Sequence, residues 1–175
     1  GNSAWENGGG ALLGGPHLRL ENSVLTGNHA GNNGGGLWVD ASAAIAGCTI
    51  AENSATDLGG GLYLNCSEEY PSEPKLDACL VAFNSAGLNG GGIRVRETPT
   101  VTLSCCDVFG NSPNNFSYMP DPTGQDGNIS VDPAFCGRAG GGDFTIATNS
   151  PCAPANNECG VLIGAGAVGC EGTAV

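Results

Sequence analysis

The sequence is poor in basic and aromatic residues and contains no long apolar run. Of its 175 residues only 5 are Lys or Arg, against 17 that are Asp or Glu, and aromatic residues make up 6%. Nucleic-acid binding needs clustered cations that neutralise phosphates, so it is excluded as a function. No stretch reaches the roughly 18 apolar residues of a membrane-spanning helix, so membrane insertion is not predicted. The formal net charge of -12 either serves solubility or attracts cations.

Histidine is also scarce, which limits metal chemistry. His17 and His29 are the only two imidazoles, and the nine cysteines form neither a C-x-x-C pair nor a Cys/His spacing. Because structural zinc sites depend on such spacings, no zinc site is expected. No cofactor is predicted. The alternative that stays open is Ca²⁺ at residues 121–128, DPTGQDGN, which offers acids and carbonyls but does not match an EF-hand loop.

Glycine, by contrast, is the commonest residue, and its triplets recur in register. Five Asn residues mark a repeat with separations of 26, 25, 31 and 27 residues: Asn2, Asn28, Asn53, Asn84 and Asn111. A Gly triplet lies six to eight residues after each of the first four, at 8–10, 34–36, 59–61 and 90–92. Glycine costs more backbone entropy on folding than any other residue. Its regular recurrence therefore indicates repeated corners, not a flexible linker.

Apolar residues alternate after each triplet and again before each marker Asn. After the marker, positions +9 and +11 are apolar: Ala11, Leu37, Leu62 and Ile93, then Leu13, Val39, Leu64 and Val95. Before the next marker, positions -8 and -3 are apolar: Leu20, Ile45, Leu76 and Leu103, then Leu25, Ile50, Val81 and Val108. Period-2 alternation predicts short strands whose apolar side chains point inward. Positions -8 and -5 both point inward but are an odd number of residues apart. A regular strand would turn them to opposite faces, so a bend is predicted between two strands.

No segment has helical periodicity, and a coil of about 25 residues with short strands predicts a parallel β-solenoid. Each coil buries its apolar face only by stacking on its neighbours. The recurring Asn is expected to form a ladder of side-chain amides between coils, at Asn28, Asn53, Asn84 and Asn111. The Gly triplet is expected either to adopt positive φ or to allow close backbone approach.

The units NSA-x3-GGG-Φ-x-Φ, in which Φ is apolar, resemble those of secreted right-handed parallel β-helix repeat proteins of the pectate-lyase-like superfold. AFNSAG with NGGGI is similar to the repeats of chlamydial polymorphic outer-membrane proteins, which are adhesin-like. The resemblance covers residues 1 to about 111 and implies a right-handed parallel β-helix of about four to five coils. Coils start near Asn2, Asn28, Asn53 and Asn84, and residues 112–175 are expected to form a final partial coil and an irregular C-terminal cap over the open end.

The nine cysteines suggest disulfides formed in an oxidising, extracellular setting, with at least one thiol left free. Cys152 with Cys159 is the expected local pair, and Cys136 with Cys170 is a second candidate. Cys105 is expected to pair with the cap or with Cys66. Three inward cysteines stack in one column at position -5, namely Cys48, Cys79 and Cys106. They are interpreted either as buried free thiols or as a set in which one pair oxidises.

No catalytic residue is predicted. Polysaccharide lyases of this fold use clustered acids and a basic residue, but Asp40, Asp57 and Asp107 come from different coil positions. The acidic EEY at 68–70 is interpreted as a solvated turn. The outward Trp38 and Tyr63 follow successive triplets, so they form either a glycan-binding platform or a patch that packs beneath a loop or another subunit.

Three sequons offer sites for N-glycosylation, at Asn65, Asn115 and Asn128, and their expected loop positions would permit it.

The chain opens on GNSAWENGGG, in the middle of a repeat, which suggests a piece of a longer precursor. The predicted function is a non-catalytic extracellular or cell-surface structural or adhesive module, or a filament subunit. Its expected partners are copies of itself, an upstream segment of the same precursor, or glycans. The alternative is a fragment of a carbohydrate-active enzyme.

Overall fold

The chain forms an all-β parallel solenoid. The computed structural model describes residues 1–15, 18–40, 42–66, 72–97, 101–137 and 142–171. Four coils, at residues 2–27, 28–52, 53–83 and 84–110, each supply one short strand to each of four parallel sheets. The chain then continues, and the solenoid has about six turns in all, slightly more than the four to five predicted.

The strands of coils 1 and 2 are β1 (Ser3–Ala4), β2 (Ala11–Gly14), β3 (Arg19–Glu21), β4 (Val24–Thr26), β5 (His29–Ala30), β6 (Leu37–Asp40), β7 (Ala44–Ala46) and β8 (Thr49–Ala51). Those of coils 3 and 4 are β9 (Ser54–Ala55), β10 (Leu62–Leu64), β11 (Lys75–Asp77), β12 (Leu80–Ala82), β13 (Ser85–Ala86), β14 (Ile93–Val95), β15 (Thr102–Ser104) and β16 (Asp107–Phe109). Beyond them lie β17 (Phe116–Ser117), β18 (Phe135–Gly137), β19 (Asp143–Ala147), a 3₁₀ turn (Pro154–Asn156) and β20 (Val168–Cys170).

Four sheets run along the solenoid, and we name them A to D. Sheet A contains β1, β5, β9 and β13; sheet B contains β2, β6, β10, β14 and β17; sheet C contains β3, β7, β11 and β15; sheet D contains β4, β8, β12 and β16. The pairing register aligns the repeat positions, as in Leu37–Leu62–Ile93 on sheet B. The predicted inward columns therefore stack directly and form one core running through the coils.

The corners between strands use left-handed backbone. The residue six positions before the next marker Asn has positive φ in all four coils: Asn22, Gly47, Ala78 and Cys105. The residue immediately before that marker Asn also has positive φ: Gly27, Glu52, Phe83 and Gly110. The first of these columns is the bend that the odd step in the apolar pattern predicted. Only some of these corner residues are glycine, although glycine adopts positive φ most readily.

The Gly triplet serves both of the purposes expected of it. Its first glycine has positive φ in each coil, as in Gly59 at +65°. The second has no room for a side chain, because a Cβ on Gly60 would lie 2.2 Å from the carbonyl oxygen of Ser85. In the first three triplets every backbone N–H donates to a backbone carbonyl of the following coil, as in Gly35 to Gly59 at 3.0 Å and Gly60 to Gly90 at 3.1 Å.

The Asn ladder joins successive coils through buried side-chain amides. Asn84 shows the pattern: its Oδ1 accepts from the backbone N–H of Asn53 at 2.9 Å, and its Nδ2 donates to Asn111 Oδ1 at 2.9 Å. Its Nδ2 also donates to the Ile50 carbonyl at 2.8 Å. The ladder then continues beyond the predicted members to Asn115, which accepts from Asn111 Nδ2 at 3.0 Å.

Two different segments cover the solenoid after coil 4. The partial coil 112–130 lies over its end, where β17 pairs with β14 and Ile129 bridges to Asp107. The segment 142–171 instead packs against the outer side of sheet D, where Ile146, Cys152 and Ile163 meet the outward Leu80. Both disulfides involve this C-terminal segment, through Cys159 and Cys170, and much of the segment lies along the side of the solenoid.

Candidate functional site

The outer face of sheet B carries the row of residues that follow the Gly triplets. Leu12, Trp38, Tyr63 and Arg94 lie in register on adjacent strands. Leu12 is exposed and Trp38 is partly exposed, but Tyr63 and Arg94 are each only 8% exposed. Burial raises the pKa of the Tyr63 phenol, an effect that the neighbouring Arg94 and Arg96 oppose.

Arg94 is covered by an aromatic ring from the partial coil. The ring centroid of Tyr118 lies 3.6 Å from the guanidinium carbon, which is a cation–π contact. The guanidinium also donates to the Val95 carbonyl, while its Nε is buried without a hydrogen-bond partner. Of the two alternatives given for Trp38 and Tyr63, packing beneath the surroundings describes Tyr63, whereas Trp38 is partly exposed.

A polar row lies beside the aromatic row on the same face. Asn65 Nδ2 donates to Asp40 Oδ1 at 2.9 Å, and Arg96 Nη1 donates to Asn65 Oδ1 at 3.2 Å. Arg96 in turn pairs with Glu97 at 3.3 Å. Trp38 therefore stands next to hydrogen-bonding groups held on neighbouring strands. An apolar ring flanked by such groups can bind a sugar, whose ring has both apolar and hydroxyl-bearing surfaces.

Four cysteines form two disulfides, which indicates maturation in an oxidising environment. Cys136 bonds to Cys170, as the sequence suggested, whereas the expected Cys152–Cys159 pair is wrong. Cys159 bonds instead to Cys105, at the positive-φ corner that turns its side chain out of the core toward the C-terminal segment. Cys66 is a buried free thiol.

The column of Cys48, Cys79 and Cys106 is reduced and fully buried. Each thiol donates to backbone carbonyls, as Cys79 does to Ile45 and Asp77, both at 3.3 Å. The contact with Cys79 and burial together raise the pKa of the Cys48 thiol well above its ordinary value. These thiols therefore act as small core residues and not as nucleophiles.

Asp107 and Cys152 form a buried pair that the sequence analysis did not identify. Asp107 is fully buried on β16, and its carboxylate accepts from the Cys152 thiol at 3.2 Å and from the Val131 N–H at 3.1 Å. Burial raises the pKa of Asp107 to about 6. Burial, and next the charge of Asp107, raise the pKa of Cys152. The signal available in the sequence was one acid at a position where the other coils have Val24, Thr49 and Leu80.

The asparagines of all three sequons make hydrogen bonds within the fold. Asn128 is buried, and its Nδ2 donates to the carbonyls of Leu103 and Gln125 at 2.9 and 2.8 Å, so its predicted accessible loop position is wrong. Asn115 Nδ2 donates to the Val108 carbonyl at 2.8 Å. Asn65 is partly exposed and belongs to the polar row of sheet B.

The loop at 121–128 is held by its own hydrogen bonds. Thr123 donates from its backbone N and its hydroxyl to Asp121 Oδ1, at 2.9 and 2.6 Å. Within the described ranges, no group of three or more His, Cys, Asp or Glu side chains is arranged to hold a metal ion. His17 and the acidic stretch 68–70 lie outside the described residues. No helix among the described residues is long and apolar enough to cross a membrane.

No protein-family model, no curated protein and no solved structure matches this chain.

Proposed function

We propose that the protein is a non-catalytic structural module of an extracellular assembly, in which the first coil of the solenoid stacks on a further coil. That coil comes from a second copy of this chain or from an upstream segment of the same precursor. The two disulfides support an extracellular setting, because they persist under oxidising conditions.

The observation that carries the proposal is the exposure of core residues in coil 1. Inward side chains of the inner coils, such as Ile45 and Leu76, are 1% exposed, whereas Leu20 in the same column is only half-buried. Ala11, Leu13 and Leu25 in coil 1 are likewise only partly buried. Parallel strands in solenoids gain their burial from neighbours on both sides, and an open strand edge is a template for another strand.

The test combines sedimentation velocity with negative-stain electron microscopy over a range of protein concentrations. We expect rods longer than one chain, and we expect Ala11→Glu to abolish them because it places a charge in the core of the stacked end. Leu12→Glu is the matched control, since Leu12 lies on the same strand but points outward and is 57% exposed. A strict monomer at every concentration contradicts assembly between copies.

A second candidate is glycan binding at the outer face of sheet B, supported by Trp38 beside the Asp40–Asn65–Arg96 row. A sugar that stacks on one ring and makes a few hydrogen bonds binds weakly. We therefore expect measurable binding to polysaccharides, which present many copies of the sugar. We expect affinity electrophoresis in gels that contain soluble polysaccharides to retard the wild type. Trp38→Ala should remove the retardation and Leu88→Ala, an exposed control on another face, should keep it. Equal retardation of all three proteins contradicts this assignment.

A further inference from the structure

A cavity of about 420 Å³ opens on the outer side of sheet A, between coils 1 and 2. Its lining residues are Ser3, Ala4, Trp5, His29 and Gly31. None of these five carries a formal charge at neutral pH. Small-ligand sites in proteins occupy about 300–1,000 Å³ and combine apolar walls with a few polar groups. The cavity has both properties.

Trp5 supplies the apolar wall of the cavity. Its side chain is 97% exposed, so the indole is not packed into the fold. The position is also unusual within the repeat, because the residues three places after the other marker asparagines are small: Gly31, Thr56 and Gly87. An exposed indole presents a flat apolar face on which another ring can stack.

Gly31 keeps the space beside Trp5 open. A Cβ at this position would lie 2.0 Å from the carbonyl oxygen of Trp5, so the close approach of the two coils excludes any side chain there. The Gly31 N–H donates to the Ala4 carbonyl at 2.9 Å, which holds the two strands at this spacing. The backbone of coils 1 and 2 therefore forms this side of the cavity without a ligand.

His29 supplies the polar wall. It lies in register with Ser3 and Ser54 on the neighbouring strands. The Ser54 hydroxyl is hydrogen-bonded to His29 Nδ1 at 2.9 Å and so orients the ring. Nε2 has no partner among the described residues, and it donates or accepts according to which nitrogen carries the proton. A hydroxyl group suits either form, because it is both a donor and an acceptor.

We propose that this cavity binds a neutral sugar residue of a glycan. The apolar face of the sugar ring stacks on Trp5, and one of its hydroxyl groups bonds to His29 Nε2. An uncharged lining fits an uncharged ligand, because a charged one would lose water without gaining an ionic partner. The net charge of -12 further disfavours an acidic sugar. This site is separate from the outer face of sheet B, since Trp5 precedes the Gly corner and Trp38 follows it.

The test is a titration of the ¹⁵N-labelled full chain with cellohexaose, mannohexaose and xylohexaose, followed by NMR. The chain has two tryptophans, so Trp38→Ala assigns the two indole N–H signals. We expect the Trp5 signal to shift saturably with at least one sugar, with a Kd on the order of 1 mM, in the wild type and in Trp38→Ala.

Two further variants test the roles of the walls. Trp5→Ala should weaken binding at least about tenfold, as measured by the shift of the His29 ring signals. It should leave the fold intact, because the indole packs against nothing. Thr56→Ala is the matched control and should keep the wild-type affinity, since Thr56 is exposed at the same repeat position two coils away.

Three results would overturn the assignment. The first is a Trp5 signal that none of the three sugars shifts at concentrations up to about 10 mM. The second is binding that Trp38→Ala abolishes and Trp5→Ala preserves, which would place the sugar on sheet B and leave the second candidate function standing. The third is a Trp5 signal that responds to phosphatidylcholine vesicles and to no sugar, which would make the cavity a membrane-contact site.

Discussion

At the scale of single residues, the Asn ladder shows why a polar side chain can occupy the interior of this solenoid. Asn84 is 1% exposed, yet its amide oxygen and nitrogen all find partners on neighbouring coils. A buried amide is tolerated only when satisfied in this way. The ladder therefore fixes the register of each coil against the next, in addition to contributing hydrogen bonds.

Replacing one member of the ladder should be costly. Asn84→Ala leaves the Asn53 N–H and the Ile50 carbonyl without their partner. Because each unsatisfied buried group costs about 1–3 kcal/mol, we expect the free energy of unfolding to fall by about 3 kcal/mol in urea titrations. Asn89→Ala, at an exposed position, should change it by less than about 0.5 kcal/mol. A similar small change for both variants contradicts a stabilising ladder.

At the scale of elements, the repeat determines the residue type on the inward side of each short strand but not on the outward side. The inward side of β12 repeats the apolar column, so Val81 was predicted to be core, and it is. The outward side differs in every coil. Leu80 and Asp107 are buried because a part of the chain that is distant in sequence packs on them. The neighbouring hydrogen bond from Ala165 to Thr49 joins residues that are 116 positions apart.

The same contrast explains which cysteines could be assigned from the sequence. Cys48, Cys79 and Cys106 follow the repeat, so their stacking was predictable. Cys105 and Cys152 depend on the packing of the C-terminal segment, which has no internal repeat. Short sequence separation favoured pairing Cys152 with Cys159, but the fold turns Cys152 toward Asp107 and brings Cys159 to Cys105.

Thiol accessibility tests this assignment. All five free thiols are buried, and burial contributes to raising the pKa of Cys48, Cys66, Cys79 and Cys152. We expect no rapid reaction of the native protein with an aromatic disulfide reagent at pH 8, because the reactive thiolate is both disfavoured and inaccessible. Denaturation should release five reactive thiols, and prior reduction should release all nine. A thiol that reacts rapidly in the native protein contradicts the buried column.

At the scale of the whole molecule, the repeat was enough to predict a parallel solenoid with its core, its Gly corners and its ladder. What it could not predict is how the chain ends, because residues 142–171 pack by their own apolar residues, such as Ile146 and Ile163, and not by the repeat. The sequence left the burial of Tyr63 open for a related reason. An outward residue in the repeat becomes buried when neighbours outside the repeat cover the face.

The uneven ends of the solenoid lead to a prediction for stability. Leu20 and Leu76 occupy the same inward column, but Leu20 has a neighbouring coil on one side only. In urea titrations of the isolated protein, we expect Leu76→Ala to lower the free energy of unfolding by about 3 kcal/mol and Leu20→Ala by about 1 kcal/mol. If coil 1 stacks on another coil in an assembly, the two costs should become similar there. Equal losses in the free energy of unfolding for the two variants of the monomer would contradict the half-buried state of Leu20.

The Gly corner also gives the solenoid an electrical polarity. In ordinary sheets the peptide dipoles alternate and largely cancel, whereas here consecutive N–H groups all point toward the following coil, so the dipoles add along the axis as they do in an α-helix. The positive pole lies at coil 4, where Gly90 and Gly92 donate to the side-chain and backbone oxygens of Asn114. The negative pole lies at coil 1, so that end attracts hydrogen-bond donors and cations.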